Sequence, residues 1–128
     1  MKILGIGVDI IQNSRIKNAI KKKSFINKIF SKVEISNSKK VKNKTNFFAK
    51  RFSAKEAFLK SIGIGIRKGI NFKDIYVIND KSGKPNFKFS NKVKNFIIKK
   101  FKTKTYNLFL SLSDEKNYSI AFTIIQKK

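Results

Sequence analysis

The chain contains no cysteine, no histidine and no tryptophan. Without cysteine, neither a disulfide nor a thiolate metal site can form; without histidine, the commonest metal ligand and the usual near-neutral proton acceptor are missing too. A Ser-His-Asp or Cys-His centre therefore cannot be assembled, and zinc would find no soft or imidazole donor. Acids are scarce as well, at seven Asp and Glu against 31 Lys and Arg, a net charge of +24. Any acid–base or metal chemistry must come from those seven carboxylates. Long apolar runs are also lacking. The N-terminus shows no signal pattern, and no stretch approaches the roughly 20 apolar residues of a membrane span, so a cytoplasmic location is expected.

The 128 residues are expected to form one domain, 1–128, large enough for a real core but small enough that a deep cleft needs a second subunit. A hydrophobic content of 41% with thirteen Phe argues for a packed globule and against a disordered basic tail. The excess charge attracts polyanions in general: nucleic acid, an anionic membrane, a phosphorylated cofactor or an acidic protein. Nearly all the cations are Lys, with only Arg15, Arg51 and Arg67 besides, and Ile, Asn and Phe abound. That bias matches a drift toward AT-rich codons, so much of the lysine reads as solvated surface. A small basic RNA-binding protein, gripping phosphates with Lys and stacking bases on Phe or Tyr, is the alternative from another class. Against it, most Phe sit at periodic, core-like positions and no RNP-type aromatic motif occurs.

The organising stretch is 47–65, FFAKRFSAKEAFLKSIGIG. Helical spacing predicts a stripe of Phe48, Phe52, Leu59 and Ile62, with Glu56 at its margin and Ser53 and Lys60 on the polar side. Arg51, Lys55 and Lys60 flank Glu56, enough to neutralise a structural carboxylate but also the means of furnishing a metal and phosphate site. Gly63, Gly65 and Gly69 then read as a helix end running into a loop that can bring backbone close to a ligand.

Residues 2–10, KILGIGVDI, suit a buried strand terminated by Asp9. An acid among Val8, Ile10 and Ile11 is costly unless paired, bonded or bound to a cation; the bland reading is a cap on the next helix. Residues 14–30 predict two helices divided at Lys21–Ser24, and 36–46, SNSKKVKNKTN, a loop. A strand is expected over 72–78, a turn over 79–83, a short segment over 86–89 after the only proline, Pro85, and a helix over 91–101. Alternation in 106–112 and 118–124 across a turn at 114–117 predicts a final hairpin. The order lacks regular βαβ alternation, so an α+β domain with helices packed on a largely antiparallel sheet is expected.

Asp9 and Glu56 form the sharp candidate: one oxygen donor from a strand, one from a helix, both beside apolar residues. Magnesium takes one or two carboxylates and completes its octahedron with water and phosphates, though salt-bridged core acids would look alike in sequence. Neither G-x-G pair has the third glycine and strand–helix setting of a dinucleotide fingerprint.

Four segments in order, GIGVDI, RFSAKEAFLKSIGIGI, DIYVINDKSGKPNF and LSLSDEKNYSIAF, resemble the holo-acyl-carrier-protein synthases, the small bacterial class of 4′-phosphopantetheinyl transferases. The F-x-A-K-E-A-x-x-K element at positions 52–60, joined to the N-terminal G-V-D strand, is the most specific part; 14–46 is the least similar. The resemblance implies a 4′-phosphopantetheinyl transferase-like fold and transfer of phosphopantetheine from coenzyme A to a serine of apo-acyl carrier protein, releasing adenosine 3′,5′-bisphosphate, for fatty acid biosynthesis. It implies Asp9 and Glu56 as magnesium ligands and Lys60 as a phosphate contact, with Glu56, directly or through a metal-bound water, as the candidate base. It further implies that Arg51, Lys60, Gly63, Gly83, Lys84, Pro85 and Ser113 line the coenzyme site, and that the enzyme is a homotrimer with clefts between subunits. Arg15 on the first helix, with Lys21 and Lys22, is expected to dock the acidic carrier protein. The chain departs from the family in one respect, having Asp114 and Glu115 where the family typically has a histidine near the coenzyme's phosphates. That departure raises a degenerate paralogue, binding the carrier protein without modifying it, as a third possibility.

Overall fold

The computed structural model describes residues 2–64 and 69–128, so Gly65 of the glycine run lies outside the described residues. The elements are β1 (Lys2–Gln12), α1 (Asn13–Ala19), α2 (Lys23–Ile29), α3 (Lys32–Ser38), α4 (Lys44–Ser61), β2 (Ile75–Asn79), β3 (Pro85–Phe89), α5 (Asn91–Phe101), β4 (Tyr106–Asp114) and β5 (Tyr118–Lys127). β5 is the middle strand of an antiparallel sheet ordered β1-β5-β4, and β2 pairs with β3 in a separate antiparallel ribbon. This is the expected α+β arrangement of helices on antiparallel sheet.

α4 begins where the Asn43 side chain accepts from the Asn46 amide at 3.0 Å, and it ends at Gly63, whose φ of 73° closes the helix. The Lys100 ammonium of α5 donates to the Ile62 carbonyl, one of the orphan acceptors of the last turn. The helix lies directly on the three-stranded sheet. A Cβ built on Gly5 or Gly7 would stand 1.8 Å from the carbonyl oxygen of Ser61 or Ala57, so only glycine admits this approach.

The same closeness settles which side chains face inward. Ser119, Ala121, Thr123 and Ile125 of β5 are buried, while Tyr118, Ile120 and Phe122 point outward with Ile6, Val8 and Ile10 of β1 and Phe109 of β4. Under the middle of α4 the inner face of β5 carries small residues, Ser119, Ala121 and Thr123, while most of the large apolar residues of β1 and β5 form an exposed outer face. The apolar core instead gathers at the ends and far side of α4. Phe58, Leu59 and Ile62 meet Ile75, Val93, Ile97 and Ile125 at one end, and Phe47 and Phe48 meet Ile11, Ile16, Ile29 and Phe30 at the other.

Three expectations need correction. The polar side of α4 is solvated only at Lys60: Ser53 is fully buried, as is Lys55, because α4 is enclosed by the sheet on one side and by α3 and β2 on another. The loop expected over 36–46 shrinks to 39–43, since Ser31 and Glu34 form a capping box that starts α3. The strand expected from position 72 opens instead with a 3-10 turn, Phe72–Asp74. Lys55 explains the packing of all three elements. Its ammonium donates to Glu34 Oε1 at 2.7 Å and to the Phe72 and Ile75 carbonyls, and Glu34 Oε2 accepts from the Val77 amide at 3.0 Å. Among the described residues no helix is long and apolar enough to cross a membrane.

Candidate active site

Successive strand residues alternate sides, so Gly5, Gly7 and Asp9 share the face that meets α4. Gly7 abuts the Ala57 carbonyl, and Asp9, two residues further on, reaches the flank of α4 that carries Glu56 and Lys60. The Lys60 ammonium donates to Asp9 Oδ1 at 3.2 Å and to the Val8 carbonyl at 2.9 Å; its side chain is 55% exposed against 15% for Asp9. Glu56 is half-buried. Burial pushes its carboxyl above the usual range, the Asp9 charge adds to that rise, and Lys60 partly opposes it. Position 9 does not terminate the strand, as β1 continues to Gln12, and it does not cap α1. The start of α1 is tied down by Asn13, whose amide donates to the Glu115 and Lys116 carbonyls.

The expected trio of cations around Glu56 reduces to Lys60. Lys55 is committed to Glu34, and the Arg51 guanidinium stacks 3.6 Å over the Phe47 ring and donates to the Phe47 carbonyl. Two acids close enough for one to raise the other's pKa, with the exposed Lys60 ammonium bonded to Asp9, offer oxygen donors of the kind a hard divalent ion takes. No third His, Cys, Asp or Glu joins them among the described residues. Magnesium fits such a pair, since it draws its remaining positions from water and substrate phosphates.

A second feature lies around the helix. Arg51 and Glu56 are five residues apart, about 140° around the α4 axis. Arg51, Gly83, Lys84 and Pro85 line one cavity together with Lys50 and Asn79. The loop is held by Asp80, whose carboxylate accepts from the Ser82 and Lys84 amides and the Ser82 hydroxyl. Arg51 is 5% exposed, its Nε has no partner among the described residues, and burial lowers its pKa to about 10, partly opposed by Glu34. An adjoining cavity is lined by Asn46, Lys50, Arg51, Asn79 and Asp114. The Asn46 amide donates to Asp114 Oδ2 at 2.7 Å, and Lys50 pairs with Asp114 Oδ1 at 3.7 Å.

The structure thus brings Asp9, Glu56 and Lys60 together, and separately Arg51, Gly83, Lys84 and Pro85. Gly63 lies at the end of α4. Ser113, opposite Ile120 in the β4–β5 register, belongs to the outer sheet face and is exposed. Arg15, Lys21 and Lys22 are exposed on α1 and the link that follows it. Sequence reasoning missed Glu34 and Lys100. The S-x-x-E box at Ser31 was a signal for the first; nothing local marks the second.

A family model described as the 4′-phosphopantetheinyl transferase superfamily matches residues 5–123. The chain is 56% identical over 128 residues to the holo-[acyl-carrier-protein] synthase of Pelagibacter ubique (strain HTCC1062), covering 100% of both. Among solved structures it resembles the holo-(acyl-carrier-protein) synthase of Bacillus anthracis str. Ames in complex with CoA (3′,5′-ADP), at 34% identity, a TM-score of 0.82 and full coverage of both chains. It also resembles the holo-[acyl-carrier-protein] synthase of Neisseria meningitidis, at 33% identity and a TM-score of 0.86 over 98% of this chain and 99% of that one.

Proposed function

The chain belongs to the 4′-phosphopantetheinyl transferase superfamily, and from that premise we propose that it transfers phosphopantetheine from coenzyme A to a serine of apo-acyl carrier protein, in a magnesium-dependent step that serves fatty acid biosynthesis. The observation that carries this reading is the meeting of Asp9, Glu56 and Lys60 on one flank of α4. Asp9 and Glu56 would hold the ion, which when bound supplies Lewis-acid charge for the coenzyme's pyrophosphate.

In the reaction the serine hydroxyl attacks the phosphorus that carries the pantetheine arm. A new P–O bond forms, the bond to the bridging oxygen breaks, and adenosine 3′,5′-bisphosphate leaves with the electron pair. Glu56, directly or through a water, accepts the hydroxyl proton. Lys60 is exposed enough to turn from Asp9 to a phosphate oxygen, offsetting charge as it develops. Arg51, Gly63, Gly83, Lys84, Pro85 and Ser113 are the coenzyme contacts of this reading.

The acidic flank and the cationic cavity occupy different sides of one chain, which favours a homotrimer whose clefts pair the flank of one subunit with the cavity of the next. The outer sheet face supplies the apolar surface for such an assembly, with Ile6, Val8, Ile10, Phe109, Ile120 and Phe122 all more than a third exposed. The exposed Arg15, Lys21 and Lys22 offer a basic landing surface for an acidic carrier protein.

The test is mass spectrometry of apo-acyl carrier protein incubated with the protein, coenzyme A and magnesium. The carrier should gain one phosphopantetheine group, and Glu56→Gln should slow that gain by about 10²–10⁴-fold without unfolding the protein. An unmodified carrier at high enzyme concentration overturns the reading.

A further inference from the structure

In a chain with seven acids, one of them lines a cationic cavity. Asp114 shares a cavity wall with Lys50, Arg51 and Asn79, and its two oxygens are taken by Lys50 at 3.7 Å and Asn46 at 2.7 Å. Lys50 and Asp114 are each 30% exposed, open enough for the pair to separate. Behind them the buried Nε of Arg51 has no partner among the described residues. An ammonium, an amide donor and a guanidinium around one space are what a phosphate group requires, and the carboxylate now meets the first two of those donors.

We propose that Asp114 is a built-in competitor for a phosphate of the coenzyme: it holds Lys50 and Asn46 in the free protein and yields them when the ligand arrives. The proposal rests on the reading of the adjoining cavity, with which this one shares Lys50, Arg51 and Asn79, as the coenzyme site. It makes Asp114 a residue that lowers coenzyme affinity. Leaving a carboxylate beside a bound phosphate repels it, so removing the charge while keeping the shape strengthens binding.

The experiment is calorimetric titration of coenzyme A into the intact protein and into Asp114→Asn, Asp114→Ser and Lys50→Met at low and high ionic strength, with thermal melts to show that each variant is folded. Both Asp114 variants should bind coenzyme A more tightly, by roughly three- to fivefold as expected for a partly exposed charge pair, with the gain shrinking at high salt. Lys50→Met should bind more weakly, and combining it with Asp114→Asn should recover only part of the gain. Equal or weaker binding by both Asp114 variants, with the unchanged protein still binding, overturns this proposal and leaves the coenzyme site standing. No binding by any of them overturns the cavity assignment together with the proposal.

Discussion

Glu56 lies where burial and a neighbouring acid both disfavour its charge, and that gives stability a definite pH dependence. Below the ordinary value of 4.5, native and unfolded states both hold the proton. Between that value and the higher native one, only the native state still holds it, so stability falls as pH rises, and the cost is complete above the native value. Glu56→Gln should therefore gain thermal stability over the unchanged protein as pH rises through this window in divalent-free buffer. A difference that stays flat across the window contradicts the assignment. Asp9 and Glu56 stood out in the sequence as acids among apolar residues, while it was the family resemblance that singled out this pair and set Lys60 beside them. Glu34 did not stand out, since its value depends on Lys55, 21 positions away, and on carbonyls that only packing brings near. Its truncation should be severe: Glu34→Ala leaves Lys55 charged and unpaired in the interior, at a cost of about 3–5 kcal/mol in denaturant melts. Adding Lys55→Met should restore much of that loss.

Between elements, the contact that matters most is β1 against α4. Gly7→Ala puts a methyl group into the Ala57 carbonyl, so strand and helix must part. We expect a loss of about 1–3 kcal/mol from the strain and a larger proportional loss of transfer activity, because Asp9 moves with the strand. An alanine variant with full activity would show that the acids do not depend on this contact. Most elements could be read from the sequence. Periodicity marked α4, α5 and the final hairpin, and the lysine run marked the break between α1 and α2. α3 was missed because its polar, unpatterned residues are helical through a capping box and a buried pair rather than an apolar stripe. The orientation of β5 was equally hidden. Whether Ile120 or Ala121 faces inward is decided by how close the helix comes, which alternation alone does not report.

At the scale of the whole molecule, two features oppose each other: a net charge of +24 that repels copies of the chain, and an exposed apolar sheet face that would join them in the proposed trimer. Ile6→Glu or Phe122→Glu should dissociate the assembly in analytical ultracentrifugation while circular dichroism stays unchanged, and activity should fall because flank and cavity are parted. A wild-type monomer with full activity would rule this out. The tight seating of α4 also reaches beyond the protein to its gene. Glycine codons begin with two guanines, and exchanging either for adenine gives serine, arginine, aspartate or glutamate, while exchanging either for thymine gives cysteine, tryptophan, valine or a stop. At positions 5 and 7 every amino acid so produced would set a side chain where the oxygens of Ser61 and Ala57 already stand, so a drift toward adenine and thymine would not erode these two codons without parting the strand from its helix.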